Sequence, residues 1–326
     1  MRFPVRLLIV AMTKGSKTME DLRSNLEERN LERFGIPGAG FDLSNLDETT
    51  EEEIQAHLHQ WVNYTRERGI YYGLNALSFL ADNRPDFAKL ATLGAGGIPD
   101  GLLGHPARPI LQNIRVMTEY IRIGWESGIY NEFRELQMRG MTKAQIMEVV
   151  MYAQLSGGGI RSMGHVHNAV GKSLFDWRDG GGPVFPEGWA PDPNAFRSGL
   201  DLTVGHLTER DRKNLEAWYE STIGWVPKSV RFAIKHNPRF LKAQRAKWEA
   251  VFQVLPKQVA PFLMLAQHTV TGFREGLREG ALLAKAWGFT PDWVVEPICG
   301  QAYYFKGLET LEAAYDALDD ILDDWG

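Results

Sequence analysis

The sequence has one cysteine in 326 residues, Cys299. That excludes an intramolecular disulfide and any zinc site built from several thiolates, and it fits a reducing cytoplasm as the expected location. Long apolar runs are missing too: no stretch approaches the roughly 18 residues that a membrane-crossing helix needs. The apolar segment Leu7 to Met12 is short for a secretion signal and no small-residue cleavage site follows it, so a short buried strand or apolar arm is expected there. Positive charge is not in excess. A net charge of −5 with no basic cluster apparent argues against a nucleic-acid partner, and nothing points to a membrane. Period-two alternation of apolar and polar residues is scarce, which leaves little from which to build a sheet.

What is present reads as an ordinary soluble globular chain, 44% hydrophobic and 24% charged, rich in helical patterns. "TMEDLRSNLEERNLERFG" runs from a Thr18 cap to Gly35. "TTEEEIQAHLHQWVNYTRERG" follows, with acids in its first turn and Arg66 and Arg68 near its end, the charge order that suits a helix dipole. Two Gly/Pro-rich stretches, 93 to 109 and 178 to 196, read as ordered loops or a linker.

The sequence also repeats itself. "GMTKAQIMEVVMYAQLSGGGIRSM" from Gly140 aligns without gaps to "GFTPDWVVEPICGQAYYFKGLETL" from Gly288, at an offset of 148. Thr142 pairs with Thr290, Glu148 with Glu296 and Gly159 with Gly307. Upstream, "LSFLADNRPDFAKL" (77 to 90) resembles "VRFAIKHNPRFLKA" (230 to 243) with one gap. The expectation is an all-α protein of two tandem copies of one helical unit: residues 1–177, a linker over 178–200, and residues 201–326. A unit of this size is too long for a solenoid repeat.

In the first copy a long helix is expected from Pro109 to Arg139. Ile114, Ile121, Trp125, Ile129, Phe133 and Leu136 form its apolar stripe, while Arg115, Glu119, Arg122 and Glu126 alternate in charge as a solvated ladder. Glu132 lies at the edge of the stripe. A carboxyl held there is desolvated, its pKa rises, and it becomes a candidate general acid or base; a rim glutamate paired with Arg134 or Arg139 is the structural alternative. The stretch "SGGGIRSMGHVHNA" (156 to 169) supplies further candidates. On a helix starting near Ile160, Ile160, Met163, His167, Val170 and Leu174 share the expected inner face, and Arg161, His165, Asn168 and Lys172 the outer one. Histidines two apart on a helix point roughly 200° apart and do not chelate one metal; only an extended backbone would bring His165 and His167 together. The glycines lack the spacing of a nucleotide loop and read as a stop between two closely packed helices.

The order of long helix, "RGMTKAQIMEVVMYAQLSGG" and further helix resembles the alkylhydroperoxidase D-like and carboxymuconolactone decarboxylase superfamily, here in two copies covering about two thirds of the chain. The resemblance implies an all-helical fold, a homo-oligomer, and a pocket lined by the long helix and the helices after the turn. The peroxidase branch carries C-x-x-C and a histidine before the turn; here those positions hold Trp125, Gly128 and Glu132, and in the second copy Phe273, Gly276 and Gly280. Thiol peroxidase chemistry is therefore excluded. The implied activity is that of a cofactor-independent lyase, decarboxylase-like, on a small cyclic or aromatic-pathway acid or lactone, with no cofactor and no metal. Glu132 with His167 or His165 is expected to move protons, Arg161 to hold the anion, and Trp125, Tyr130 and Met163 to line the substrate. The second copy has Gly280, Glu309, Ala313 and Tyr315 at the matching places, with His268 and the charges of 273 to 280 as a reserve site. Two other readings stay open: a metal-dependent enzyme using His165 and His167 for ring oxidation or hydrolysis, and a non-catalytic binding or scaffold protein.

Overall fold

Every regular element of the computed structural model is helical among the residues it describes, which are 40–42, 44–68, 79–80, 83–93, 98–175, 177 and 182–325. The N-terminal arm and the helix expected over 18–35 lie outside the described residues. The chain forms two compact units, residues 1–105 and 106–326, and the expected linker falls inside the second.

In the first unit, α1 (Glu51–Arg68) opens on the expected acidic turn and is followed by α2 (Pro85–Leu93). Thr50 and Glu53 cap one another: the Glu53 amide donates to Thr50 Oγ1 and the Thr50 amide to the Glu53 carboxylate. The buried Lys89 of α2 reaches back, donating to the Glu48 carbonyl at 2.6 Å and to Glu53 at 2.9 Å. The Asp42 amide donates to the same carboxylate. Sequestering an ammonium is tolerable because its protons find acceptors and its charge a partner.

The second unit contains the same device. Its helices are α3 (Arg108–Ile123), α4 (Glu126–Met138), α5 (Lys143–Ala153), α6 (Gly159–Phe175), α7 (Glu209–Ile223), α8 (Lys228–His236), α9 (Pro238–Val251), α10 (Val259–Thr271), α11 (Arg274–Ala286), α12 (Pro291–Gln301) and α13 (Leu311–Asp323). Thr208 and Asp211 form a reciprocal cap at the start of α7. Lys242 of α9 donates to the carbonyls of Asp201 and His206 and to the Asp211 carboxylate, which also accepts from the Asp201 amide. Thus the cap, the amide of Asp42 and the lysine–carboxylate pair of Asp42, Thr50, Glu53 and Lys89 recur in Asp201, Thr208, Asp211 and Lys242, with the bond from Lys242 to the Asp201 carbonyl added.

The bounds of α4 and α5, and the π turn 154–158 after them, recur at the offset of 148 in α11, α12 and the π turn 302–306. Left-handed glycines recur at 124 and 272, 140 and 288, and 159 and 307. The expected long helix is in fact two, because Gly124 at φ 76° closes α3 and Trp125 then starts α4. Five members of the predicted stripe, Ile114, Ile121, Ile129, Phe133 and Leu136, are fully buried, while Trp125 stands 39% exposed. Half of the ladder is not solvated: Arg115 and Glu119 are buried, because α3 has neighbours on that face too, α12 and the π turn after it, while Arg122 and Glu126 stay partly exposed. α10, apolar nearly all round, forms the centre of the core.

The helix after the glycines is phased about one residue away from the expectation. Ser162, Val166 and Val170 are its buried positions, Ile160 is 83% exposed, and His167 faces solvent. The cause is the π turn, in which Ser156 and Gly157 leave helical geometry and Gly157 takes φ 121°, so the face is reset before α6 begins. The glycines do form a tight link: a Cβ on Gly158 would sit 2.7 Å from Ser162 Oγ and 2.8 Å from the Ala153 carbonyl.

Candidate functional site

The polar centre of the second unit is built on one face of α3, with Arg108, Gln112 and Arg115 at helical spacing and Asn113 alongside. Arg108 donates to Gln112 Oε1, and Gln112 Nε2 donates to the Tyr304 hydroxyl, both at 2.7 Å. Tyr304 is placed by the π turn 302–306. Its oxygen is occupied by Gln112, which leaves the phenol proton to be donated elsewhere; burial raises its pKa to about 12, so the group acts as a donor at any ordinary pH. Arg115, fully buried, donates to Gln301 Oε1 at 2.9 Å and lies 3.6 Å from Glu296, with its guanidinium 5.5 Å from the Tyr304 ring centre. Gly300 makes the room, since a Cβ there would sit 2.4 Å from Arg115 Nη2.

Glu132, on α4, meets this face. It is 6% exposed, and Asn113 Nδ2 donates to it at 2.6 Å. Arg139 Nε donates to Asn113 Oδ1, and because arginine only donates, that contact fixes the amide with its NH2 toward Glu132. Burial pushes the Glu132 pKa up to about 8, opposed by the Asn113 hydrogen bond and by the charges of Arg139 and Arg115, and assisted by Glu135. The carboxyl is therefore protonated at neutral pH. Around Glu132 the guanidiniums of Arg108, Arg115 and Arg139 gather with the carboxyls of Glu296 and Glu135, which lie 3.6 Å from Arg115 and 3.4 Å from Arg139 respectively.

The histidine candidates lie elsewhere. His165 Nδ1 is 3.0 Å from Glu126 Oε1, an atom that also accepts from Asn168, and its ring covers Gly124. Six residues separate Glu126 from Glu132, roughly 9 Å along α4 and on a different face. His167 and Arg161 are exposed, Met163 is half-buried, and Tyr130 is 36% exposed. No hydrogen bond among the described residues joins any of these five to Glu132. Trp125 stacks edge-on against Tyr120 at 4.5 Å, and the pair closes over Gly128; His268 and Phe273 close over Gly276 in the same way. Burial lowers the pKa of His268, the reserve candidate, to about 4, leaving it neutral. No group of three or more metal-ligating side chains occurs among the described residues.

Sequence reasoning missed Asn113, Arg108, Arg115, Gln112 and Tyr304. Arg108, Gln112 and Arg115 stand at spacings of four and three, the signal of a shared face, but the acceptors of Gln112 and Arg115 are more than 180 residues away. Glu148, in the motif that carries the repeat, has a structural role: it accepts from the amides of Gln253, Val254 and Leu255 and so holds the turn before α10. Comparison with protein-family models, with characterised proteins and with solved structures returns no match. No helix among the described residues is long and apolar enough to cross a membrane.

Proposed function

We propose that the chain is a cofactor-independent lyase of the decarboxylase type, acting on a small, ring-containing carboxylic acid, and that it consists of two copies of one helical unit with its proton-transfer centre at Glu132. The observation that carries this reading is a carboxyl kept protonated at neutral pH by burial, held by Asn113 among the guanidiniums of Arg139 and Arg115. An acid without a charge can give its proton to carbon, and guanidiniums nearby favour a substrate carboxylate that would otherwise be costly to desolvate.

In this reading Arg108 and Arg115 hold the retained oxygen functions of the substrate. The Tyr304 hydroxyl donates to the oxygen that gains charge as the carbon–carbon bond to the departing CO2 breaks. Glu132 then protonates the carbon left behind, and its carboxylate recovers a proton from solvent; the net change is RCOO− + H+ → RH + CO2. Arg139 and Asn113 act through Glu132 by holding it in place. Arg161, His165 and His167, given the anion and proton roles on sequence grounds, take no part in this scheme, and the metal reading finds no support in a His165 tied to Glu126 and an exposed His167.

The test is turnover against a panel of aromatic-pathway acids and lactones, with metal content measured on the same sample. Glu132→Gln keeps the shape and the Asn113 hydrogen bond and is expected to lower kcat by at least about 100-fold. Unchanged turnover in that variant overturns the assignment, and activity that tracks bound metal favours the metal-dependent alternative.

A further inference from the structure

The expectation of no basic cluster fails in one place: residues 228–247 hold seven lysines and arginines and no acid, within a chain of net charge −5. Lys242 and Arg245 are spent inside, on Asp211 and on Glu249. The others remain at the surface. On α8, Lys228, Arg231, Phe232 and Lys235 fall at spacings of three and four on one face, with Phe232 66% exposed. Arg239 and Phe240, the latter 53% exposed, stand at the surface in the first turn of α9, which follows α8 directly. No ion pair engages Lys228, Arg231, Lys235 or Arg239 among the described residues. An exposed phenylalanine ringed by uncompensated cations is unfavourable for a lone molecule, since it adds like-charge repulsion to exposed apolar area.

The complement lies on α13. Glu312, Tyr315, Asp319 and Asp323 share one face at spacings of three and four, and Tyr315 is 66% exposed. Asp316 and Asp320, around the side, are already paired with Arg274 and Arg278 of α11. Glu312 and Asp323 have no ion pair among the described residues, and Asp319 is engaged only by the Tyr315 hydroxyl. The stripes of α8 and α13 thus each carry one ring among charges of one sign, on helices about 14 and 20 Å long.

We infer that the basic aromatic face of α8 and α9 docks on the acidic aromatic face of α13 in a second copy of this chain. Phe232 would pack against Tyr315, while Arg231, Lys235 and Arg239 oppose Glu312, Asp319 and Asp323. A polyanion is the poorer occupant, because the same molecule presents α13 and a net negative charge to it.

Sedimentation velocity of the full chain at about 50 and about 500 mM salt tests this, the higher salt screening exposed charges beyond about 4 Å. The expected result is self-association at low salt that weakens at least about tenfold at high salt. Arg231→Glu with Lys235→Glu, and separately Glu312→Lys with Asp319→Lys, should each give a lower mass with unchanged circular dichroism, and mixing the two variants should restore a complex. A wild-type monomer at low salt, or association that neither reversal weakens, overturns the inference. So does binding to phosphatidylserine vesicles or single-stranded RNA that the basic reversal removes while the mass of the protein stays the same.

Discussion

At the scale of the residue, the centre depends on single side chains whose protonation is set by burial. Glu132 has a folded pKa of about 8 against an ordinary value near 4.5, so its protonated form is favoured in the fold. The associated stability is fully present below about pH 4.5 and lost as pH rises through 8, up to about 5 kcal/mol. Glu132→Gln is therefore expected to melt higher than the wild type at about pH 8 and equally at about pH 5, measured by thermal unfolding across that range. Gly300→Ala is expected to cost about 1–3 kcal/mol, because the new methyl meets the Arg115 guanidinium and not a free space; an unchanged denaturant midpoint would show that Arg115 moves without cost. Glu132 was legible in the sequence from its place at the edge of an apolar stripe. Arg115 was not, because alternating charge at spacings of three and four looks the same on a solvated helix as on one buried by a partner distant in sequence.

Among the elements, the acidic first turn and amphipathic spacing were the readable signals. The acidic turn expected at Glu51 starts α1, whereas the reciprocal cap of Thr142 with Gln145 that starts α5 was not read. Two errors have local causes: a glycine within a helical pattern does not announce that it will turn left-handed, as Gly124 does, and a π turn shifts the phase of whatever follows, as 154–158 does for α6. The lysine staples were invisible because a lone lysine in an amphipathic helix is nearly always solvated. Lys242→Met is expected to destabilise by about 3–5 kcal/mol, since it leaves Asp211 buried beside its cap with no cation. Thr208→Ala, which removes only the cap acceptor, should cost about 1 kcal/mol. Chemical denaturation of the two variants side by side checks the order.

For the whole molecule, the perturbed groups act on pH dependence together. Burial raises Glu132 to about 8 and Glu279 to about 7, so their contribution fades as pH rises above about 4.5; burial lowers His57 and His268 to about 4, so theirs fades as pH falls below about 6.5. Maximum thermal stability is expected between about pH 5 and 6.5, and an optimum above pH 8 would contradict the desolvation of the two glutamates. The all-helical class and the recurrence at 148 residues were legible because periodicity and punctuation are local properties. The boundary at residue 105 was not, because it depends on which helices touch.

Glu148 and Arg115 bear on how far the chain can be divided. The carboxylate of Glu148 takes its three donors from 253–255, while the guanidinium of Arg115 takes its acceptor and counter-ion from Gln301 and Glu296. Each half of the molecule thus holds a buried charge whose compensation belongs to the other. A chain cut near residue 190 would leave an ionised group without its partners in both fragments, so neither sequence can drift, shorten or be exchanged at these positions without a matching change in its counterpart.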